Sequence, residues 1–505
     1  VQLHRRATEL AVRAAIGASR VQIVAALLRE IAIIAALGAA GGAVASVLLT
    51  RAAAVAFTSI PRMADVTVDG RALAVVILAT VAAATLFGVL PAAAATRSGL
   101  APLLAAAGRG SSGPRHRLQS GLVVAQLALG VVLAGAAGLL VRSYGALARV
   151  DAGVEPTHAL TFHVGAAWNE DRARIGQVQE RLLARLQELP GVKAAGYTNF
   201  LPASGASLRS QLIVQGLTQP TDTVGFTVGT RTVTPGYLRA LQVPLIAGAL
   251  CADPHPVNVE QNTEVMVNRQ FVARYANGQS VVGRQLRLNS TSRPFQISGV
   301  VGDVLEDGLA SPAVPYLYIC LGMGAWPDPE YVVRSEGNPR LLISNVRAAV
   351  RSIDPSRPFF GAKSVADAMD AGLDQPRLDA TVIAVFAAAA LTLAALGLYG
   401  LLMLLVTERK RELGVRMALG AAPGDLVRVV VGGMGRLVAV GMASGLVLTI
   451  VSAQLLRSLL FGVAPYDAVA VTGAVIALGT VAMIAAAVPA RQAARVSAME
   501  AMRTP

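Results

Sequence analysis

The chain has 505 residues, of which 54% are hydrophobic and only 15% are charged, and its mean hydropathy is +0.57. This composition excludes an ordinary soluble protein of the same length. The formal net charge of +14 could suit a nucleic-acid-binding protein. The basic residues flank apolar blocks, however, which favours membrane topology and contact with lipid headgroups over nucleic-acid binding.

Six apolar blocks reach the length of about 18 residues that a helix needs to cross a bilayer. They are Ile31–Leu49, Leu73–Leu90, Leu122–Val141, Thr381–Val406, Leu437–Ser452 with its flanks, and Ala468–Val488. Their many small residues allow close approach between helices. Buried helices of a large soluble enzyme are the alternative, and six such blocks disfavour it. We therefore predict an α-helical integral membrane protein with six transmembrane helices.

The chain opens on a basic segment and two of these blocks, which together form a first membrane unit, residues 1–97. A glycine-rich cytoplasmic linker, residues 98–117, follows, and then a transmembrane helix over residues 118–143. A later copy of the basic segment is preceded by a span. We expect the same of the first copy, so the sequence is interpreted as an N-terminally truncated piece of a longer protein.

Residues 144–376 are predicted to be a soluble α/β domain inserted between the third and fourth spans. Alternating or apolar runs predict strands at Ala159–Val164, Val192–Asn199, Val224–Thr234, Glu264–Asn268, Gln285–Leu288, Phe295–Val301 and Tyr331–Arg334. A helical stripe runs from Ile175 to Leu189 and stops at Pro190-Gly191, and a second amphipathic helix is expected over Leu341–Ile353.

A second membrane unit, residues 377–505, has three spans and a copy of the basic segment at 407–424. The two copies align at a constant offset: Glu9 with Glu412, Arg13 with Arg416, and Gly17 with Gly420. A constant offset indicates an internal repeat. A solvated helix or a helix in the lipid interface would explain one copy, but recurrence beside apolar spans favours a shared function.

Arginine and lysine concentrate in the segments that would share one side of the membrane, among them Arg5, Arg97, Arg409 and Arg491. Short loops rich in basic residues stay in the cytoplasm. Both termini are therefore predicted to be cytoplasmic, and the α/β domain is predicted to lie on the opposite, periplasmic side.

No residue pattern predicts catalysis. The chain has no glycine loop followed by Lys-Ser/Thr, so it is expected to bind no ATP, to hold no cofactor and not to be an enzyme. Asp303, Glu306 and Asp307 follow a strand, and His158 and His163 flank another; without metal-ligand spacing, both groups are interpreted as solvated loop charge. Cys251 and Cys320 could form a disulfide or remain free thiols.

The segment Glu408-Arg-Lys-Arg-Glu-Leu-Gly-Val-Arg-Met-Ala-Leu-Gly-Ala421, followed by Asp425-Leu-Val, resembles FtsX-like permeases, specifically the MacB-like ABC permeases with two such units. Four stretches resemble the MacB-like periplasmic core domain: Val233-Thr-Pro-Gly-Tyr-Leu238, Pro244-Leu-Ile-Ala-Gly248, Val281-Val-Gly-Arg-Gln-Leu286 and Val300-Val-Gly-Asp-Val304. The first unit departs from the pattern, with Ala11 and Ala14 in place of Gly414 and Met417.

This resemblance implies the permease subunit of an ABC transporter in the bacterial inner membrane, which transmits ATP-driven motion for export or mechanotransmission. A separate cytoplasmic ATPase dimer is the implied partner, and periplasmic proteins are further candidates. The implied ATPase-coupling residues are Glu9, Arg13, Gly17, Arg409, Glu412, Gly414, Arg416 and Gly420. Two alternatives stay open: a secondary transporter, which would need ionisable residues in its spans, and a membrane-anchored sensor or scaffold that acts through the periplasmic domain.

Overall fold

The computed structural model describes residues 20–58, 60, 62–85, 114–214, 226–252, 264–288, 294–320, 323–408 and 423–494. The chain divides into two compact units. The first combines Val1–Gly145 with Gln375–Pro505 and is helical in its described part; the second, Ala146–Asp374, contains the strands. Each unit is described by itself below.

The described residues form eleven α-helices. They are α1 (Arg20–Ala56), α2 (Gly70–Ala84), α3 (Pro114–Leu147), α4 (Arg172–Gln187), α5 (Pro235–Ala240), α6 (Arg269–Tyr275), α7 (Ile343–Ile353), α8 (Val365–Asp370), α9 (Asp374–Glu408), α10 (Pro423–Leu455) and α11 (Ala468–Ala494). Short 3-10 turns lie at Met63–Asp65, Pro339–Leu342, Ala371–Leu373 and Arg457–Leu459.

The same residues form eleven strands. They are β1 (Ala159–Val164), β2 (Val192–Thr198), β3 (Leu208–Val214), β4 (Phe226–Thr232), β5 (Leu245–Gly248), β6 (Glu264–Asn268), β7 (Gln285–Leu288), β8 (Pro294–Val301), β9 (Tyr316–Ile319), β10 (Glu330–Ser335) and β11 (Phe359–Ser364). All seven predicted strands are confirmed to within two residues at each end. Strands β3, β5, β9 and β11 were not predicted.

Five helical stretches of the described residues are long and apolar enough to cross a membrane. They are Ile31–Ala56, Ser120–Leu147, Val365–Val406, Gly435–Leu455 and Ala468–Ala487. The predicted span Leu73–Leu90 begins in α2, which has 15 residues, and continues into residues outside the described part. The prediction of six spans is therefore supported for five, and the sixth stays a prediction.

Helices α3, α9, α10 and α11 pack together around an apolar core. Its buried members include Leu127 and Val131 of α3, Leu398 and Leu402 of α9, and Leu478 of α11. These side chains carry no polar atoms, so the interior of the bundle is filled by dispersion contacts between branched and small residues.

Helix α11 runs antiparallel to α3. Gly130 of α3 approaches Leu478, whereas Gly138, two turns further along α3, approaches Ala470. Moving forward along one helix therefore means moving backward along the other, as expected of helices that cross a bilayer in opposite directions.

The α/β unit contains a four-stranded antiparallel sheet in the order β11-β1-β10-β2. Helices α4 and α7 cover one face of it, where Leu160 and Phe162 of β1 pack with Leu182 of α4 and Val346 of α7. Helix α4 begins at its N-cap Asp171, whose carboxylate accepts a hydrogen bond from the Ala173 amide.

The remaining strands follow the order β5-β8-β6-β9-β4-β3-β7, and β7 also pairs with β8. This last pairing closes six strands into a small barrel, because β8 joins the two ends of the sheet. Its interior holds Val265, Val267, Phe295 and Leu317, and Phe271 of α6 packs with them. Strand β5 lies outside the ring and pairs with the second half of β8.

The barrel is inserted between β2 and β10, which are neighbours in the four-stranded sheet. A second apolar core, which includes Tyr237, Tyr316, Tyr318 and Val332, joins the barrel wall to the sheet. Gly229 of β4 is required there, since a Cβ at this position would lie 2.2 Å from the Tyr316 ring.

Candidate functional site

The eight predicted coupling residues, Glu9, Arg13, Gly17, Arg409, Glu412, Gly414, Arg416 and Gly420, all lie outside the described residues. Their role as a docking site therefore stays a prediction. The structure does describe the helices that border the second copy, because α9 ends at Glu408 and α10 begins at Pro423.

Helix α10 presents a row of small residues to α3. A Cβ on Gly441 would lie 2.7 Å from the Leu127 Cβ, and one on Gly445 would lie 2.7 Å from the Val131 Cβ. Real Cβ atoms do not approach this closely, so only glycine permits the observed separation of the two backbones. The matched spacing also means that α3 and α10 run in the same direction.

One turn further along the same contact, the glycine belongs to α3 and the larger side chain belongs to α10. Thr449 of α10 lies against Gly135 of α3, where an added Cβ would be 2.7 Å from the Thr449 Cγ2 atom. The Thr449 hydroxyl donates a hydrogen bond of 2.8 Å to the Gly445 carbonyl, so this buried polar group is satisfied within its own helix. Sequence reasoning missed this row, although its four-residue spacing is readable in the chain.

The contact between α3 and α9 includes one polar side chain. A Cβ on Gly397 would lie 2.3 Å from the Gln126 Oε1 atom, so the amide of α3 rests on the bare backbone of α9. This oxygen is buried and has no hydrogen-bond partner within the described residues. Gln126 is the polar residue that stands out in its predicted span, Leu122–Val141.

Near its C-terminus, α3 forms a hydrogen bond and an ion pair with the segment between α10 and α11. The Phe461 amide donates a 2.8 Å hydrogen bond to the Ser143 hydroxyl, which is buried. Arg142 forms an ion pair of 3.0 Å with Asp467, whose carboxylate also caps α11 by accepting from the Ala470 amide. Arg142 and Ser143, which make these contacts, therefore lie in the chain just before residue 146, where the α/β unit begins.

In the α/β unit, Glu306 corrects the interpretation of Asp303, Glu306 and Asp307 as solvated loop charge. The Glu306 side chain is 1% exposed, and its Oε2 atom lies 2.5 Å from the Arg231 Nη2 atom. Its other oxygen accepts a 2.8 Å hydrogen bond from the Tyr318 hydroxyl. The local sequence could not reveal this, because Arg231 is 75 residues away.

Burial and charge act together around this pair. Burial alone would lower the pKa of Arg231, but the Glu306 carboxylate outweighs it and the pKa is raised. Burial, reinforced by Glu306, raises the pKa of the Tyr318 and Tyr237 hydroxyls well above their ordinary value. The tyrosines therefore stay neutral, and Arg231 stays protonated.

Cys251 and Cys320 form a disulfide, which decides between the two states that the sequence left open. Cys251 lies three residues after the end of β5, and Cys320 directly follows β9, so the bridge links positions 69 residues apart in the chain.

His163 lies beside two carboxylates, 3.5 Å from Asp328 and 3.8 Å from Glu330, and is not solvated loop charge alone. No group of three or more His, Cys, Asp or Glu suited to a metal ion occurs among the described residues.

Comparison with known proteins gives a match to the family described as FtsX-like permease C-terminal, over residues 1–100 and 384–498. The chain is similar to the pyoverdine export ATP-binding/permease protein PvdT of Pseudomonas syringae pv. syringae, with 26% identity over 229 residues, 41% of this chain and 33% of that protein. The PvdT protein of Pseudomonas aeruginosa gives 26% identity over 236 residues, 44% of this chain and 34% of that protein. The chain thus spans about a third of the length of these relatives.

Two solved structures show a weaker likeness. The periplasmic region of MacB from Actinobacillus actinomycetemcomitans has 16% identity and a TM-score of 0.29, over 43% of this chain and 92% of that one. The extracellular domain of the noncanonic ABC-type transporter YknZ from Gram-positive bacteria has 10% identity and a TM-score of 0.26, over 40% of this chain and 100% of that one. Likenesses of this size establish no shared fold.

The family match is the stronger finding because it falls on the two predicted membrane units and contains both copies of the basic segment. Residues 1–100 and 384–498 of the chain are thus similar to the FtsX-like permease family.

Proposed function

We propose that this chain is the membrane-spanning subunit of an ABC transporter in a bacterial inner membrane. A separate cytoplasmic ATPase docks on the two basic segments, and its movement passes through the helices to the α/β domain on the periplasmic side. The observation that carries this proposal is the family match, which includes both copies of the repeated segment beside apolar helices.

The helix contacts support transmission of movement. Helix α10 begins where the second basic segment ends, and its glycine row lies on α3, which leads directly into the α/β unit. Packed helices with small residues at their contacts can shift against each other without leaving voids. A displacement that enters at the basic segment thus has a continuous route to α3.

The core of the bundle argues against a polar conduction pathway between these helices. The blocks Leu122–Val141, Thr381–Val406 and Ala468–Val488 contain no Asp, Glu, Lys or Arg. Ion-coupled secondary transporters place ionisable residues or broken helices near the middle of the membrane, so this composition disfavours that alternative. The same apolar composition favours a transporter that acts on a substrate outside the bilayer over one whose substrate passes between these helices.

The docking assignment is tested by charge reversal in the second segment. Glu412→Lys would improve attraction to lipid headgroups, so a helix that only lies in the membrane interface should tolerate it. A docking helix would lose a contact worth about 1–3 kcal/mol if that contact is a charge-assisted hydrogen bond. ATP hydrolysis by the co-purified ATPase, measured with and without the permease, should lose its stimulation in Glu412→Lys and in Arg416→Glu.

Membrane insertion and expression serve as controls, since both variants should retain them. A photo-crosslinker placed at position 412 should capture a polypeptide with a nucleotide-binding loop, while the same crosslinker at Gly337 in the α/β unit should not. Normal stimulation in both charge-reversal variants would contradict the docking assignment.

A further inference from the structure

A cleft of about 540 Å³ in the α/β unit lies between the loop after β1, the start of α4 and the loop before β11. We call it the aromatic cleft; its lining includes Trp168, Glu170, Asp328, Asp354, Arg357 and Phe360. Its volume falls in the range of small-molecule sites. All of its lining residues belong to the α/β unit, whereas the two basic segments belong to the helical unit.

Two exposed aromatic rings line the aromatic cleft. Trp168 is 61% exposed and Phe360 is 48% exposed, although rings of this size usually gain stability by burial. Both rings are held in place from behind: Trp326 meets Trp168 edge-on at 5.4 Å, and His163 stacks on Phe360 at 5.1 Å. The aromatic faces are therefore fixed in position and accessible.

The charges of the cleft leave one carboxylate unmatched. Arg357 is 7% exposed and is held by Glu170, with which its two terminal nitrogens form hydrogen bonds, and by Asp354 at 3.2 Å. Arg174 lies 3.6 Å from the same Glu170. Three acidic residues and two arginines thus line the cleft, and the acid without an arginine is Asp328.

Asp328 combines one buried oxygen with partial access to solvent, because its side chain as a whole is 39% exposed. Its Oδ1 atom has no hydrogen-bond partner within the described residues. The nearest basic group is the His163 Nδ1 atom at 3.5 Å, which also makes no hydrogen bond in the described part of the chain. The lining of the cleft thus has more acidic than arginine side chains, although the chain as a whole has a net charge of +14.

We propose that the aromatic cleft binds a small organic cation, such as a quaternary or protonated amine. Aromatic faces attract cations through their quadrupole, and a partly desolvated carboxylate adds direct attraction. Trp168 already supports such a contact, because the Arg172 guanidinium, which does not line the cleft, lies 5.6 Å from its ring centroid. The proposal does not depend on the transport function.

The chain offers a direct readout, since Trp168 lines the cleft and the second of its two tryptophans, Trp326, packs against Trp168. Tryptophan fluorescence of the full chain in an uncharged detergent is followed during titration with choline, at constant ionic strength. The uncharged isostere 3,3-dimethyl-1-butanol is titrated in parallel, as is the larger cation benzyltrimethylammonium. We expect a saturable change with the cations and binding about tenfold weaker for the isostere.

Two variants test the assigned groups. Asp328→Asn removes the charge, and Phe360→Leu keeps an apolar side chain but removes the aromatic face; each should weaken cation binding by about tenfold. Asp370→Asn, which alters an exposed acid outside the cleft, should leave it unchanged.

Three results would overturn the proposal. They are equal responses to choline and its isostere, unchanged cation binding in both variants, and no saturable response to either cation. Tighter binding of N-acetylargininamide than of the two quaternary amines would assign the cation to a polypeptide side chain and overturn the small-molecule assignment.

Discussion

The Arg231 guanidinium and the Glu306 carboxylate form an ion pair that is almost wholly withdrawn from water, with side-chain exposures of 0% and 1%. Arg231 also donates a hydrogen bond to the Ala206 carbonyl. The pair therefore joins β4 of the barrel to the loop after β8 and to the segment that leads into β3. Its stability depends on both partners being present, because a lone buried charge is costly.

Replacing Glu306 with Gln should destabilise the α/β unit by about 3–5 kcal/mol, since Arg231 would remain buried without its counter-charge. Denaturant unfolding of the full chain, followed by tryptophan fluorescence, measures this, because both tryptophans lie in that unit. Asp367→Asn is the matched control: it breaks the exposed pair with Arg340, whose side chain is 63% exposed, and should cost less than about 1 kcal/mol. Equal losses in the two variants would contradict the special status of the buried pair.

Gly445→Leu should destabilise the helical unit by about 1–3 kcal/mol, because α3 would have to move away from α10 to admit the new side chain. The contact with α3 is tight at two atoms: a Cβ here would meet the Val131 Cβ at 2.7 Å and the Ala128 carbonyl oxygen at 2.9 Å. Thermal loss of helical circular dichroism in detergent provides the measurement. Gly479→Leu serves as control and should be tolerated, since no neighbouring element in the described part of the chain comes within 4 Å of its added Cβ.

Removing the disulfide with Cys251→Ser should cost about 2–5 kcal/mol, because a bridge between residues 69 positions apart restricts the unfolded chain. Protein from the oxidising side of the membrane should migrate faster on non-reducing than on reducing gels, and the difference should vanish in Cys320→Ser. Complete thiol labelling of both cysteines without reductant would show that they are unpaired.

Acid should destabilise the α/β unit through two aspartates whose pKa values are depressed. Hydrogen bonds from Ser356 hold the pKa of Asp354 below its ordinary value, and Ser364, followed by Arg340, does the same for Asp367. A carboxyl whose folded pKa is depressed contributes stability above its unfolded pKa, about 3.9, and loses it as the pH falls through the folded value. The denaturation midpoint should therefore fall below about pH 4 and fall less steeply in Asp354→Asn and Asp367→Asn. Identical pH profiles in wild type and both variants would refute the assignment.

Membrane orientation can be read with reporter fusions. A reporter after Gly110 or Pro505 should be cytoplasmic, and one near Gly337 should be periplasmic, because basic residues in short loops remain inside. Alkaline phosphatase and a fluorescent protein distinguish the two sides. A cytoplasmic signal from the Gly337 fusion would reverse the whole arrangement.

The sequence predicted strands whose residues alternate between a buried and a less buried face, such as β7 and the first half of β8. It failed for β9, where Tyr316, Leu317 and Tyr318 are all buried. Leu317 faces the barrel interior and the tyrosines face the second core, so no alternation between apolar and polar residues remains. It failed for β5 for the opposite reason, since all four of its residues are exposed.

The helix contacts of the candidate site could likewise be predicted only in part. The glycine row on α10 could be predicted, because Gly441 and Gly445 follow a four-residue spacing within one apolar block. The partners of that row could not, because periodicity does not reveal which helices are neighbours. The hydrogen bond between Phe461 and Ser143 joins residues 318 positions apart, and neither residue is distinctive by itself.

The pairing of β1 with β11 has an evolutionary consequence. Leu160, near the start of the α/β unit, lies opposite Ser364, near its end, so the polypeptide enters and leaves this unit at adjacent points. A domain with adjacent ends can be gained or lost by recombination without stretching the helices on either side. The barrel repeats this arrangement inside the unit, between the neighbouring strands β2 and β10. The chain can thus be viewed as a nested series of cassettes, each of which could have been acquired whole.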